Sequence, residues 1–155
     1  MNFRIVVVGR TKEAYLAAGI EDFRKRLSRY AGVELVVVKD KRRPRSMPPA
    51  ALNEEEGRAI LERLADSFVV VLDVTGRPVT SEELSGLVSR WEGEGRRTVT
   101  FVIGGPDGLS PAVLEKADLL LSLSKMTFTH DIARLLLLEQ LYRAFTIKAN
   151  TGYHK

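Results

Sequence analysis

Short runs of valine, leucine and isoleucine recur along this chain: FRIVVVG at residues 3–9, VELVVV at 33–38, FVVVL at 68–72, TVTFVI at 98–103 and LLLSL at 119–123. β-Branched residues favour extended backbone, and runs that are apolar on both alternating faces belong to strands covered on both sides, as in parallel sheets. The segments between them have helical periodicity. Leu16, Ile20, Phe23, Leu27 and Tyr30 recur at spacings of four and three, one stripe of a helix. Ala50 to Ala65 reads as a second helix with an acidic first turn at Glu54 to Glu56. Thr80 and Glu83 form a capping box that opens a helix running to about Trp91, closed by Gly93 and Gly95. Ser110 and Pro111 open a short helix as cap and first turn, and His130 to Ile147 forms a long last one. This alternation predicts one α/β domain over residues 1–155, three layers (α/β/α) around a mostly parallel sheet of five to six strands.

At 155 residues the chain can bury a core without staples, and it has no cysteine to make them. Thiol catalysis and cysteine-bound metals are excluded. Two histidines far apart in sequence, with no clustered acids, make a poor ligand set, so no metal is expected. The apolar run Ile5 to Val8 is too short for a signal-peptide core, and no stretch reaches the length of a membrane span. The expected setting is the cytoplasm.

Charge is concentrated in one place. Residues 39–45, KDKRRPR, carry five basic side chains against one acid, a net +4 that equals the formal charge of the whole chain. Broken by Pro44 and followed by Pro48 and Pro49, this segment suits either phosphate contacts from a non-helical loop or a solvated linker.

In a parallel sheet, ligands lie beyond the carboxyl ends of the strands. Three turns compete for that role: LDVTG after the third strand, IGGPDG after the fourth and LSKMTFTH after the fifth. GGPDG lacks the lysine and hydroxyl residue of a nucleotidase phosphate loop and the spacing of a dinucleotide fingerprint, and its proline removes an N–H from any phosphate cradle. Asp73 and Lys125 resemble parts of a phosphoacceptor site, but the first strand runs into GRTK and supplies no acids for magnesium. A flavodoxin-like nucleotide-binding regulator shares the sheet pattern. The last helix contains four consecutive leucines, Leu135 to Leu138, which wrap most of its circumference. Such a helix is buried on two sides, either between the sheet and a second subunit or wholly within one domain.

The runs FVIGGPDGLSP and LSLSKMTFTHDIARLLLLEQLYRAFTIKANTGYHK resemble the carboxyl half of the ribosomal RNA large-subunit methyltransferase H family, small SPOUT-class enzymes that methylate N3 of a pseudouridine in 23S ribosomal RNA. The resemblance implies a homodimer, a carboxyl-terminal trefoil knot, against the general rule that chains do not knot, and S-adenosylmethionine bound in that knot. Carried over position by position, the cofactor contacts are Leu72, Gly104, Leu123, Ser124, Lys125, Met126, Thr127 and Phe128. It also places the polar tail NTGYHK at the active site.

Methylating an imide nitrogen requires removal of its proton and stabilisation of the resulting anion. His154 is the expected base, Tyr153 the residue that stacks on or hydrogen-bonds the target base, and Arg143 the electrostatic clamp. His130 is expected to be structural, and Arg134 either to hold RNA phosphate or to solvate its helix. The substrate is expected to be 23S ribosomal RNA, on the assembled ribosome because the chain has no appended RNA-binding domain. A non-catalytic RNA-binding dimer of the same fold is the alternative. Neutralising Arg42, Arg43 and Arg45 should weaken RNA binding and flatten its salt dependence while leaving cofactor affinity unchanged. Equal losses in both titrations would assign the loop another role.

Overall fold

A computed structural model of the protein describes residues 1–40 and 48–155. The elements run in strict alternation: β1 (Asn2–Val8), α1 (Ala14–Leu27), β2 (Gly32–Val38), α2 (Pro49–Leu61), β3 (Phe68–Pro78), α3 (Ser81–Gly93), β4 (Thr98–Ile103), α4 (Pro111–Glu115), β5 (Leu119–Ser122) and α5 (His130–Lys148). Among the described residues they form one five-stranded sheet in the order β2-β1-β4-β3-β5, with every pair parallel.

Alternation along the strands separates two cores. Phe3, Ile5 and Val7 of β1, Val70 of β3 and Phe101 of β4 face one side, where they meet Ile20 and Leu27 of α1, Leu84, Val88 and Trp91 of α3, and Leu137, Leu138 and Leu141 of α5. Val6, Val8, Val71 and Val102 face the other and meet Ile60 of α2 and Val113 of α4. Both faces are therefore covered, which accounts for the unbroken valine runs. The capping box of α3 is complete: Glu83 N donates to Thr80 Oγ1 at 3.1 Å and Thr80 N donates to Glu83 Oε2 at 2.7 Å. Such caps contribute about 1 kcal/mol.

Two sequence expectations are corrected. Helix α2 begins at Pro49, so Glu54 to Glu56 fall beyond its first turn, and Glu56 is buried. Tyr30 lies past the end of α1, which closes at Leu27. Helix α5 is flanked by α1 and α3 on the same sheet face, with Ser85 Oγ donating to Ala144 O at 2.8 Å and Phe23 tilted against Tyr142. Of its leucine run, Leu137 and Leu138 are buried within this chain, whereas Leu135 and Leu136 are only half-buried.

The run VTGRP reads as a turn because of its glycine and proline, yet β3 continues through it to Pro78. Leu72 and Arg77 both pair with Leu121, so the strand bulges between them and then rejoins β5. Gly76 makes this possible, because a β-carbon there would stand 2.7 Å from backbone atoms of Leu120 and Leu121. Gly76→Val should therefore cost about 1–3 kcal/mol, the usual range for forced overpacking. Urea unfolding measures it, and a midpoint equal to wild type would show that β3 and β5 can separate at this crossing.

Candidate active site

Strands β4, β3 and β5 are consecutive in the sheet, so the turns that leave their carboxyl ends converge. Together they enclose a cavity of about 630 Å³. Leu72, Asp73 and Val74 come from β3, Ile103 to Pro106 with Gly108 and Leu109 from the turn after β4, and Ser122 to Ser124 with Met126 to Thr129 from β5 and its exit. The first turn of α5 adds His130 and Ala133.

Each wall has a local cause. Gly108 N donates to Gly105 O at 3.1 Å, and Gly108 sits at φ +80°, a conformation suited to glycine, so GGPDG closes into a tight turn. A β-carbon on Gly104 would lie 2.9 Å from Leu109 Cγ and 3.2 Å from the Gly108 carbonyl oxygen. The space that glycine leaves open is thus taken by its own turn. In the β5 exit, Ser122 Oγ donates to Ser124 O at 2.9 Å and Met126 N donates to Ser124 Oγ at 3.0 Å. These bonds fold the loop over the cavity. Thr129 caps α5 by accepting from Ile132 N at 3.3 Å.

Of the positions expected to contact a cofactor, Leu72, Gly104, Leu123, Ser124, Met126, Thr127 and Phe128 all line this cavity, whereas Lys125 is exposed and does not. His130, expected to be purely structural, lines it as well. Its helix-start position gave no hint of that, because the convergence is tertiary.

Behind His130 lies a buried ion pair that the sequence reading missed. Arg134 is 1% exposed, which overturns both roles expected for it. Its Nη2 donates to Val8 O at 2.7 Å and its Nη1 to Thr11 Oγ1 at 3.1 Å, while Asp131 Oδ1 lies 3.3 Å from Nη1. Burial lowers the pKa of Arg134 and the Asp131 carboxylate opposes that shift. Asp131 Oδ2 also accepts from Lys12 N at 3.1 Å. The first turn of α5 is thereby tied to the end of β1.

The tail residues assemble elsewhere. Arg143 donates from Nη2 to Glu139 Oε1 at 2.6 Å and its guanidinium stacks 4.8 Å above the Tyr153 ring. Tyr153 Oη donates to the same Glu139 oxygen at 2.9 Å. Burial, followed by that bond to a carboxylate, raises the Tyr153 pKa and keeps its phenol protonated. His154 Nδ1 lies 3.2 Å from Arg143 Nη1 and its Nε2 lies 2.8 Å from Glu82 Oε1. A guanidinium can only donate, so Nδ1 is the acceptor and Nε2–H points at Glu82. Glu139 could have been anticipated from its four-residue spacing to Arg143; Glu82, on α3, could not.

None of Arg143, Tyr153 and His154 lines the cavity. Arg143 lies thirteen residues along α5 from His130, about 20 Å at 1.5 Å per residue. The two halves of the expected site therefore sit near opposite ends of one helix.

This arrangement, a parallel sheet whose last three carboxyl ends enclose an apolar cavity, is matched by a known class. Residues 1–154 fit the family model described as "Predicted SPOUT methyltransferase". The chain is 49% identical to the ribosomal RNA large subunit methyltransferase H of Desulfotalea psychrophila and 46% identical to that of Bifidobacterium animalis subsp. lactis, each alignment covering 100% of both chains. It belongs to the ribosomal RNA large subunit methyltransferase H family of SPOUT methyltransferases. The fold is shared with a tRNA (m1G37) methyltransferase from Aquifex aeolicus, at TM-score 0.56 and 14% identity over 92% of this chain and 70% of that one. It is shared too with a Legionella pneumophila methyltransferase solved with bound SAM, at TM-score 0.52 and 12% identity over 93% and 66%.

Glu56 of α2 packs beneath the GGPDG rim, its Oε2 3.9 Å from where a β-carbon on Gly105 would stand. Burial first, then the Asp40 and Asp107 carboxylates, raise its pKa above the ordinary 4.5. The folded state therefore holds this proton more tightly than the unfolded chain. The stability it contributes is complete below about pH 4.5 and is lost as pH climbs through the raised value. Glu56→Gln should stabilise the protein relative to wild type near pH 7 and give no advantage near pH 4. Denaturant titrations at the two pH values check this, and an equal difference at both would assign the effect to packing.

Proposed function

We propose that the protein transfers the methyl group of S-adenosylmethionine to N3 of a pseudouridine in 23S ribosomal RNA, on the assembled ribosome in the cytoplasm, and that it does so as a homodimer. The observation that carries this reading is the convergence of seven family-matched cofactor positions on one cavity beyond three adjacent strand ends. Its size lies within the range of small-molecule sites, and Leu72, Leu109, Leu123 and Phe128 supply apolar walls for a purine. Asp73 is the one carboxylate among the described lining residues and favours a cationic ligand. The bound cofactor would supply an electrophilic methyl carbon on a sulfonium. Family membership implies that the carboxyl-terminal segment threads into a trefoil knot.

The tail residues supply the other half of the reaction. The imide N–H must lose its proton so that the nitrogen lone pair can form a bond to the methyl carbon as the carbon–sulfur bond breaks. His154 carries its lone pair on Nδ1, facing Arg143, with Glu82 fixing the tautomer from behind. If Arg143 moves onto the imide anion, it stabilises the developing charge and frees Nδ1 to take the proton. Tyr153, held by Glu139, presents its ring to the target base.

Because these groups lie about 20 Å along α5 from the cavity of their own chain, they act on the cavity of a partner. The mouth of the cavity is suited to being covered: Val74 is 56% exposed, Met126 73% and Phe128 36%. No described helix is long and apolar enough to cross a membrane; a second copy seated on this rim would cover its apolar side chains.

Transfer of labelled methyl from S-adenosylmethionine to unmodified ribosomes tests the activity, with mapping of the labelled base; label on another nucleotide or none at all would overturn it. His154→Ala should lower the rate by at least a hundredfold with cofactor affinity unchanged. Mixing it with a cavity variant such as Gly104→Val, itself inactive, should restore about a quarter of wild-type activity through hybrid dimers with one intact site. Mixtures without recovery would place the tail in its own chain's site.

A further inference from the structure

Arg10, Lys12 and Tyr15 lie beyond the carboxyl end of β1 and project into solvent. Both basic residues are exposed, and Tyr15 is 71% exposed, the most uncovered aromatic among the described residues. Neither cationic side chain makes a hydrogen bond or ion pair among the described residues; Glu13 and Asp40, the acids flanking the stretch, are not within ion-pair distance of them. Exposed cations of this kind are usually solvated and their loops mobile.

This loop is instead fixed from several directions. Gly9 N donates to Val38 O at 2.7 Å, Lys12 N donates to the buried Asp131 carboxylate at 3.1 Å, and Thr11 Oγ1 accepts from the buried Arg134 at 3.1 Å. Asp131 and Arg134 belong to the same turn of α5 whose His130 and Ala133 line the cavity. One turn thus positions both the loop and the cavity wall. In the sheet β1 is the immediate neighbour of β4 and parallel to it, so the loop and the GGPDG turn leave adjacent strand ends.

We propose that Arg10, Lys12 and Tyr15 grip the ribosomal RNA strand next to the nucleotide that enters the cavity, a role that rests on the RNA methylation reading above. The two cations take phosphates flanking that nucleotide, and the tyrosine ring stacks on an unpaired neighbouring base. A rigid loop suits this task because its cations keep their spacing before RNA arrives, so little ordering is required on contact. The basic segment 39–45 follows β2, the next strand of the sheet, and its residues 41–45 lie outside the described residues.

The test is a salt series of binding titrations between assembled ribosomes lacking the modification and three proteins: wild type, the double variant Arg10→Ala/Lys12→Ala, and Tyr15→Ala. The double variant should bind at least tenfold more weakly at low salt, with the slope of log affinity against log salt smaller by about 1.5, the loss of two phosphate contacts. Tyr15→Ala should weaken binding about fivefold or more with the slope unchanged, as loss of stacking requires. S-adenosylmethionine affinity should stay within about twofold of wild type in both. A double variant with wild-type affinity and slope overturns the proposal, as does weaker binding at an unaltered slope, which would indicate a protein contact on the ribosome. Failure of the wild type itself to bind would overturn the RNA reading together with this one, and is distinguished by that control.

Discussion

The buried pair of Arg134 and Asp131 fixes how the last helix meets the sheet, and much else depends on that junction. A guanidinium removed from water is costly, and the Nε of Arg134 is buried without a hydrogen-bond partner among the described residues, so its other contacts carry the compensation. Two of its donors are directed to the Val8 carbonyl and the Thr11 hydroxyl, and the Asp131 charge lies alongside. Because those acceptors belong to the end of β1 and its exit loop, α5 cannot slide or rotate without stranding a charge. The cavity wall at His130 and Ala133, the cap at Thr129 and the direction in which α5 carries its tail all follow from this anchor.

Helix α5 also separates two kinds of chemistry. At its amino end the cavity is lined by apolar turns with one carboxylate, Asp73, among the described lining residues, an arrangement suited to a cationic donor. At its carboxyl end Glu82, Glu139, Arg143, Tyr153 and His154 form a polar cluster in which each hydrogen-bonded partner fixes the next. Neither end contains what the other supplies. In the dimeric mechanism proposed above, the two halves would be brought together where two copies meet.

Much of the fold was legible because burial on both faces of a parallel sheet leaves a plain mark, the unbroken runs in β1, β3 and β4. The capping box of α3 and the Ser110–Pro111 start of α4 were equally visible, since caps are local. The errors fall where tertiary structure overrides local signals. Gly76 and Pro78 suggested the end of a strand that continues through them, because β5 pairs with the far side of the bulge. Arg134 looked like a solvent-facing cation because nothing in its helix discloses the Val8 carbonyl beneath it. The cavity positions came from family resemblance, not from pattern, and Leu72, Leu123 and Phe128 could equally have been core by residue type. Lys125 shares their motif yet points away.

The packing at Gly104 has a consequence for how the cavity meets its ligand. The Leu109 side chain and the Gly108 carbonyl already occupy the space beside it, so this part of the rim is packed by its own turn before anything enters. A wall that is already set loses little conformational freedom when the ligand arrives, so more of the contact energy appears as affinity. Selectivity between the methylated donor and its spent thioether then has to come from charge near the sulfur, since an inflexible rim of this kind does not reshape itself around either.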